Sequence, residues 1–356
     1  MGRIYLMNKK PFLLLVTASV FLFWHCNKKE KNEGTHPYQI AVPRNFPSPF
    51  LNPENPMTTE GVELGRRLFY EYRLSGNGRS CNSCHLQEKA FMISNVSLGL
   101  DPAKYNNIPS LVNLAWNPDY NWNGYHKDLD HVAIGDFGPD FFNSDIHQVI
   151  STIAADKSYQ TLYKQVFSGT DVFTPGVFEE KTAFAIAQFL RSIVSANSKF
   201  DKFVAGKGAL TNEEKYGYEI FSSEKGDCFH CHAGSLTTDN SYHNIGLDSV
   251  FTLSNSGRAQ VTFMAKDIGL YSTPSLRNAA LTAPYMHDGR FATLDEVIEH
   301  YNSGVRSSAT LDPIMTKNNK QLGLKLSSYE KFCLKAFLVS LTDSNLLVNP
   351  AYSRPQ

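Results

Sequence analysis

The stretch Cys81-Asn82-Ser83-Cys84-His85 is repeated downstream as Cys228-Phe229-His230-Cys231-His232, and these two pentads decide which fold the chain can adopt. The Cys-x-x-Cys-His spacing is typical of covalent haem c attachment. The two thiols add to the two vinyl groups of one haem, while the adjoining imidazole ligates the iron from the same turn. The alternative is a pair of zinc or redox Cys-x-x-Cys motifs, each followed by a histidine. Two complete pentads favour two haems, with His85 and His232 as proximal iron ligands.

The residues around the pentads also repeat, as two successive modules would. Gly65-Arg66-Arg67-Leu68-Phe69 precedes the first pentad and Gly217-Tyr218-Glu219-Ile220-Phe221 precedes the second, while apolar residues recur at helical spacing over 183–193 and 331–341. An opening helix, a pentad and a closing helix make one cytochrome c module, in which the small glycine lets the two helices cross closely. The sequence therefore predicts a mostly α fold with two cytochrome c-like domains in tandem and little β-structure.

The boundary between the two domains is expected near residues 200–212. The linker-like stretch Ala205-Gly206-Lys207-Gly208 precedes Thr211, a predicted helix N-cap with Glu214 three residues later. We expect a signal peptide over 1–25, a tether and N-terminal extension over 26–57, an N-terminal domain over 58–205, a C-terminal domain over 206–345, and a tail over 346–356.

The first 25 residues have the pattern of a signal peptide. A positively charged start is followed by a mostly apolar stretch from Phe12 to Trp24, which is shorter than the roughly 20 residues of a membrane-spanning helix. Cys26 stands where a bacterial lipoprotein carries its lipidated cysteine, although Phe23-Trp24-His25 departs from the usual small residues. We predict an exported, periplasmic protein, which is anchored to the membrane if Cys26 is acylated.

Composition limits the remaining classes of function. The chain has 34 basic and 34 acidic residues, so no basic surface for nucleic acid is expected, and its 42% hydrophobic fraction supports packed cores. Apart from Cys26 and the pentads, the only cysteine is Cys333, which lies in an apolar segment and is predicted to be a buried, inert thiol. No disulfide framework is expected.

With two haem modules in this order, the chain resembles the bacterial di-haem cytochrome c peroxidase family, including its MauG-type branch, which oxidises a partner protein. The resemblance extends from about residue 58 to 342. Its most specific stretches are 273–278 and 281–289, and further matches lie at 74–80, 107–113 and 121–124. It implies that the first haem reacts with hydrogen peroxide and that electrons enter at the second.

At the first haem the chain departs from the standard members of this family. Those members place a distal histidine shortly after the first pentad, whereas here no histidine occurs between His85 and His126. Met92 is the only other residue in the following stretch that ligates iron well. Because peroxide must bind the metal before its O–O bond can break, we predict that the His85 haem is five-coordinate and needs no reductive activation.

At the second haem the usual methionine position falls on Tyr301, as in the MauG-type branch. A phenolate is a hard anionic donor that stabilises ferric and higher iron, so it should lower the potential of this haem. The alternative is that Tyr301 packs beside the haem while another residue ligates the iron. The candidates for that role are Met286, Met315 and His300.

Peroxide cleavage also needs a group that moves a proton from the near to the far oxygen. The family uses a glutamate for this, and aligning Gly138-Pro139 with about three inserted residues places Asp145 at its position, whereas an ungapped count gives Phe142. We therefore predict Asp145 as the acid/base, with Asp136 and His131 as alternatives, while a solvated loop carboxylate is the competing interpretation of Asp145.

Two further roles follow from the resemblance. Trp122 corresponds to an indole between the haems that helps to carry electrons from one to the other; a core aromatic is the alternative. Asn107, Thr282 and Pro284 correspond to the ligands of a calcium ion between the modules, through one side-chain amide and two main-chain carbonyls, and oxygen ligands suit this hard cation.

The leading prediction of function is a peroxidase that reduces hydrogen peroxide to water with electrons from a small donor protein, such as a cytochrome c or a cupredoxin. A MauG-type oxidase that withdraws electrons from a protein substrate is the second prediction. A non-enzymatic di-haem electron carrier is the third. The resemblance also implies a homodimer.

Overall fold

Helices account for nearly all regular structure in residues 1–2, 34–94, 105–319 and 322–356, the part of the chain that the computed structural model describes. The α-helices are α1 (Thr59–Phe69), α2 (Cys81–Cys84), α3 (Ile146–Ala155), α4 (Lys157–Val166), α5 (Val177–Ser192), α6 (Lys199–Val204), α7 (Asn212–Phe221), α8 (Ala259–Thr262), α9 (Leu294–Glu299) and α10 (Ser328–Ser340). The predicted mostly α class is confirmed.

The remaining elements are short. The 3₁₀ segments are Tyr72–Leu74, Gln87–Lys89, Leu114–Trp116, Leu129–Phe137, Cys228–His230, Ala265–Asp267, Ala279–Leu281, Pro313–Asn319 and Leu346–Val348, and one π-helical turn spans His300–Gly304. Strand β1 (Tyr242–His243) pairs antiparallel with β2 (Tyr271–Ser272), with Tyr242 opposite Ser272. No described helix has the length and apolar character that a membrane span requires. Cys26 and residues 3–25 of the predicted signal peptide lie outside the described residues.

The first half of the chain is built on the crossing of α1 and α5. Gly65 lies so close to the Ala185 carbonyl oxygen that a Cβ at position 65 would collide with it, and Phe189 packs at the same crossing. Leu64 and Leu68 are fully buried on the same face of α1. Because backbone rather than a movable side chain occupies the space, even alanine at position 65 would push the helices apart. The predicted close helix crossing is confirmed here.

The second half repeats this crossing with α7 and α10. A Cβ at Gly217 would collide with the Cys333 carbonyl oxygen, and the Cys333 side chain is fully buried, as predicted. Thr211 caps α7 by accepting a hydrogen bond from the Glu214 amide (3.2 Å), and the Glu214 carboxylate accepts one in return from the Thr211 amide (2.7 Å). This reciprocal capping box is the helix start that the sequence predicts.

A buried polar junction links the two halves after their closing helices. The Asn113 side chain accepts from the Ser195 amide (2.8 Å), while the Asn278 side chain accepts from the Asp343 amide (2.8 Å). Asn278 Nδ2 also donates to Ser195 Oγ (3.0 Å), which in turn donates to Asp343 (3.2 Å). Both asparagines have left-handed backbones, with φ of 61° and 62°. Ser195 and Asp343, which follow the two closing helices at equivalent positions, therefore bond each other. Residues 34–356 form one compact unit.

The chain termini add contacts that the predicted division into extension, domains and tail does not include. In the N-terminal extension, the Phe46 ring lies edge-on to Trp116 (5.1 Å between centroids) and beneath the Arg277 guanidinium (4.9 Å). Phe46 thus contacts both halves of the chain. At the other end, Leu346 and Tyr352 of the predicted tail are buried in the core of the first half.

Candidate haem sites

The first pentad forms one capped helical turn. Ser80 and Ser83 make a capping box at the start of α2, in which the Ser80 amide donates to Ser83 Oγ (3.0 Å). The His85 amide closes the turn by donating to the Cys81 carbonyl (3.0 Å). The local sequence therefore places Cys81, Cys84 and His85 on a single turn, as covalent haem attachment requires.

The His85 ring is oriented by a main-chain acceptor. Its Nδ1 lies 2.9 Å from the Phe91 carbonyl oxygen, which can only accept, so Nδ1 carries the proton and the Nε2 lone pair remains for a metal. Burial lowers the pKa of His85 to about 4, which keeps the imidazole neutral. A neutral, oriented imidazole is the form that ligates haem iron.

The second pentad has the same geometry. The His232 amide donates to the Cys228 carbonyl (2.9 Å), and His232 Nδ1 donates to the Thr237 carbonyl (3.0 Å). The five described cysteines are all free thiols, and burial raises the pKa of Cys228 to about 12. Both pentads thus present two free thiols and one oriented imidazole, a donor set that fits haem c.

A largely apolar cavity of about 410 Å³ lies beside the second pentad and extends between the two halves. Its second-half wall includes Cys228, Cys231 and His232. From the first half, Trp122 and Val132 line the same cavity. The structure therefore brings residues of both halves to one enclosed, apolar space, which is the environment that a haem group needs.

Tyr301 lines this cavity together with His232, from the π-helical turn His300–Gly304. Burial is the main cause that raises the pKa of Tyr301 above its usual value. A π-helical turn inserts one extra residue into a helix and often marks a functional site. The phenol therefore lies in the same cavity as the second pentad.

The alternative ligands for the second haem are placed differently. His300 is buried and its Nε2 donates to the Ile245 carbonyl (3.0 Å), so this nitrogen is already used in a hydrogen bond to the main chain. Met286 and Met315, in contrast, both line the same cavity as Tyr301. The geometry thus disfavours His300 as the second ligand of this haem. Tyr301, Met286 and Met315 remain as candidates, because all three line the same cavity.

The predicted acid/base Asp145 is placed as a helix cap. Its exposed carboxylate accepts from the His147 (3.1 Å) and Gln148 (3.2 Å) amides at the start of α3. His131, the third candidate, is exposed and its ring bonds Asp128 (2.6 Å). These hydrogen bonds explain the positions of the Asp145 and His131 side chains without a haem. They favour the second candidate, Asp136, over Asp145.

Asp136 is the carboxyl group that lies beside the first pentad. Its charge contributes to raising the pKa of both Cys81 and Cys84, for which burial is the larger cause. Burial raises the pKa of Asp136 itself to about 7. The segment Leu129–Phe137 that carries it is anchored by a buried ion pair, in which both Asp130 oxygens accept from Arg191 at 2.7 Å. A carboxyl group on an anchored segment therefore lies beside the first pentad.

Trp122 and Asn107 connect the two halves at the cavity. Trp122 Nε1 donates to the Asn107 carbonyl (2.7 Å), and the Trp122 carbonyl accepts from the Ser272 amide of β2 (2.8 Å). The Asn107 amide donates to the His287 carbonyl (2.6 Å). The indole is therefore held at the junction of the halves, where the resemblance to the peroxidase family would place it.

Two of the three predicted calcium ligands, Asn107 and Pro284, lie next to each other. Asn107 Nδ2 lies 2.6 Å from the Pro284 carbonyl and 3.2 Å from that of Met286, while Asn107 Oδ1 is buried without a hydrogen-bond partner. Rotating the amide by 180° would point Oδ1 at those two carbonyls, an arrangement of oxygens that only a cation stabilises. Thr282 lines the same cavity. The orphaned Oδ1 fits a hard cation at this point.

One charged residue of the second haem site, His243, belongs to no sequence motif that would have predicted its position. His243 of β1 lines the cavity, and its ring bonds Asp312 through Nδ1 (2.5 Å) and Asp239 through Nε2 (2.9 Å). The Asp312 carboxylate is the main cause that raises the pKa of His243 to about 11, so the ring is a fixed cation. It ties β1 to the segment that carries Met315. Asp312 lies 69 residues away in sequence, so motif spacing could not reveal this pair.

Comparison with known proteins gives a consistent result. Residues 59–209 match the family model described as di-haem cytochrome c peroxidase. The chain is 31% identical over 337 residues to the methylamine utilization protein MauG of Methylophilus methylotrophus, covering 91% of this chain and 92% of the relative. It is 33% identical over 257 residues to the cytochrome c551 peroxidase of Nitrosomonas europaea, covering 70% and 74%.

Among solved structures, the chain is similar to the crystal structure of a MauG-like protein associated with microbial copper homeostasis. The two share 32% sequence identity with a TM-score of 0.79, over 89% of this chain and 99% of the other. The likeness therefore extends through both halves of the chain.

Proposed function

Because the chain belongs to the di-haem cytochrome c peroxidase family and is an oxidoreductase of the haem peroxidase class, we propose that it couples the reduction of hydrogen peroxide to the oxidation of a partner protein, in the manner of the MauG-type branch. In this proposal each half is a cytochrome c domain, over 58–205 and 206–345, and carries one covalent haem c. The haems, when bound, supply the redox chemistry: hydrogen peroxide takes up two protons and two electrons and yields two molecules of water.

The observation that carries the proposal is the position of Tyr301 in the cavity of the second pentad. In standard members of the family a methionine closes the second haem and keeps its potential high enough to receive electrons from a donor. A phenolate favours higher oxidation states of iron. Tyr301 would therefore allow the second site to hold an oxidising equivalent until a protein substrate supplies the electron.

At the first site, Asp136 is proposed as the group that handles protons. As a carboxylate it would accept a proton from one oxygen of hydrogen peroxide, and as a carboxylic acid it would return that proton to the other oxygen, which would leave as water. Its pKa near 7 suits both directions of transfer at neutral pH. His85 would hold the haem through Nε2.

Trp122 is proposed to carry electrons between the two sites. Its indole nitrogen is fixed by the Asn107 carbonyl and its main chain by β2, so the ring is held in one orientation at the wall of the shared cavity. A fixed aromatic ring needs little rearrangement when it gives or takes an electron. Phenylalanine at this position would keep the packing but be much harder to oxidise.

A donor-fed peroxidase is the second candidate, and a specific observation favours it. Met286 and Met315 line the same cavity as Tyr301, and a thioether ligand would raise the potential of the second haem so that a small donor such as a cytochrome c or cupredoxin could reduce it. In that case the electrons used for peroxide reduction come from the donor, and no protein substrate is modified.

The deciding experiment adds one equivalent of peroxide to the resting ferric holoprotein and follows the optical and Mössbauer spectra with and without reduced cytochrome c. We expect an oxidised state of both haems that forms rapidly and turns over slowly with the donor. Trp122→Phe should slow the transfer to the second haem by at least about tenfold, or about 1.4 kcal/mol in the barrier. Fast donor turnover would establish the peroxidase instead, and no spectral change would contradict both proposals.

A calcium ion is proposed between the halves, held by the Asn107 side chain with the Pro284 and Thr282 carbonyls; Met286 offers a further carbonyl. Such an ion would fix the separation of the two domains. Removing it with a chelator should slow inter-haem transfer and lower the thermal midpoint of the holoprotein, and added Ca²⁺ should restore both.

Asn107→Leu, which is similar in size but offers no oxygen, should behave like the chelated protein and should not respond to Ca²⁺. Binding can be measured by calorimetry on the chelated wild type. Equal thermal midpoints with and without chelator, together with no heat of binding, would contradict a calcium ion here.

Export to the periplasm, with acylation of Cys26 as an anchor, also belongs to this proposal, and it is supported by the signal-peptide pattern of residues 1–25. Covalent haem attachment in bacteria is completed outside the cytoplasmic membrane, so export fits two haem c groups. A homodimer is proposed from the family resemblance; gel filtration of the holoprotein measures it.

A further inference from the structure

The turn that orients His85 has an unfavourable backbone. Ala90 and Phe91 are consecutive residues with φ of 52° and 59°, in the left-handed region that non-glycine residues with bulky side chains avoid. Phe91 is fully buried, and its carbonyl is the acceptor for His85 Nδ1. Such a conformation persists only where the surroundings hold it.

The C-terminal segment, residues 345–353, supplies much of that support through Gln87. This side chain is buried, with 6% of its surface exposed, and both of its amide functions bond the segment. Gln87 Nε2 donates to the Leu346 and Asn349 carbonyls, each at 2.9 Å, and its Oε1 accepts from Ser353 Oγ at 3.0 Å. The side-chain hydrogen bonds of this buried residue in the turn are thus all made with the C-terminal segment.

Tyr352 provides the second contact. Its ring lies edge-on to Phe91, with 6.4 Å between centroids and 73° between planes. The Tyr352 hydroxyl accepts from the Val194 amide (3.2 Å), and its carbonyl accepts from the Tyr70 hydroxyl (2.7 Å). Tyr352 is therefore fixed at three points and forms a rigid wall against the residue whose carbonyl holds His85.

The second half shows why the first needs this support. There, Ser275 Oγ donates to the Leu236 carbonyl (2.6 Å), just as Ser110 Oγ donates to Ala90 (2.6 Å). The second half adds a bond from the Leu276 amide to Thr237 Oγ1 (2.8 Å), which secures the residue that orients His232. Phe91, at the position of Thr237 in the repeat, has no hydroxyl that could accept such a bond.

We propose that residues 345–353 act as a proximal clamp for the first haem, with Gln87 and Tyr352 as positioning residues. By fixing the Phe91 carbonyl, the clamp keeps the hydrogen bond to His85 Nδ1 short and the ring in one orientation, which raises the donor strength of Nε2 toward iron. The clamp continues directly from α10 of the second half. The inference rests on the proposed ligation of haem by His85, and it does not depend on the oxidised substrate.

The test compares variants of the full-length holoprotein in which the second haem serves as an internal reference. Gln87→Glu keeps the size of the side chain but loses both donors to the segment, and Tyr352→Ala loses the wall against Phe91. Both should lower the iron–histidine stretching frequency of the reduced first haem, or split it into two populations, and should broaden its ferric electron paramagnetic resonance signal. The signals of the second haem should not move.

Two matched controls accompany these variants. Tyr352→Phe retains the ring against Phe91 and loses only the bond to the Val194 amide, so its first-haem signals should lie between those of Tyr352→Ala and the wild type. Val348→Ala changes a residue of the same segment that is 76% exposed and should keep the wild-type spectra. Unchanged first-haem signals in both Gln87→Glu and Tyr352→Ala would overturn the proposal. Equal changes at both haems would overturn it as well, because they would indicate general loosening. Absence of a first-haem signal in the wild type would instead contradict haem ligation by His85, and with it the proposed function.

Discussion

Asp136→Asn should lower the rate constant for the reaction with hydrogen peroxide by about 100-fold, at the lower end of the ~10²–10⁴ that general acid–base catalysis contributes. The amide matches the carboxyl group in shape but cannot accept the proton that peroxide must release. Asp136 is held beside Cys81 and Cys84 on a segment anchored by Asp130 and Arg191, so the substitution should leave haem binding intact. Stopped-flow absorbance at the first haem measures the rate.

The pH dependence gives a second readout of the same variant. Burial raises the pKa of Asp136 to about 7, so the carboxyl group is protonated below that pH and ionised above it. Since only the ionised form accepts a proton, the wild-type rate should rise as the pH increases through about 7, and Asp136→Asn should remove that rise. The haem content and the resting spectrum of the variant are checked at each pH.

Asp145→Asn is the matched control, because asparagine is as good a helix N-cap as aspartate and should preserve the contacts to the His147 and Gln148 amides. Its rate with peroxide and its thermal midpoint should equal those of the wild type. If Asp145→Asn lost the rate while Asp136→Asn kept it, the assignment made by aligning Gly138-Pro139 would be right and the geometric one wrong.

The contrast between these two aspartates shows where sequence reasoning stops. Features carried by local motifs were predictable: the pentad turns and the Thr211 cap depend on residues a few positions apart, and the close helix crossings were predicted because a Gly-x-x-apolar-Phe stretch recurs before each pentad. The choice between Asp136 and Asp145 depends on how the 3₁₀ segment Leu129–Phe137 coils toward the first pentad. An alignment across inserted residues cannot supply that path.

Contacts between distant parts of the chain could likewise not be predicted from the sequence pattern. The pairing of His243 with Asp312 and the return of residues 345–353 onto Gln87 each join segments that carry no complementary motif. Residues 346–356 have few charges and short apolar runs, which is typical of a tail, yet Tyr352 is buried in the first half. Tertiary packing decides such cases, because the burial of several apolar side chains together, here including Leu346 and Tyr352, offsets the entropy lost when the segment is ordered.

Tyr301→Phe should abolish oxidation of a partner protein, with a loss of at least about 100-fold (about 2.7 kcal/mol in the barrier), while leaving the first reaction with peroxide unchanged. The substitution removes the phenolic oxygen and keeps the ring that lines the cavity. Without an anionic donor, the second haem should no longer hold an oxidising equivalent long enough for a protein to react. Its reduction potential should rise, and its ferric spectrum should change to that of a five-coordinate or thioether-ligated haem.

Met315→Leu is the control, because leucine has about the volume of methionine but cannot ligate iron. It should leave the spectrum of the second haem as in the wild type. Burial raises the pKa of Tyr301, so the phenol stays protonated at neutral pH unless a metal takes the place of the proton. Ligation by Tyr301 must therefore release a proton, and the potential of the second haem should depend on pH in the wild type but not in Tyr301→Phe. A wild-type spectrum in Tyr301→Phe and an altered one in Met315→Leu would assign the ligand to the thioether and would favour the donor-fed peroxidase.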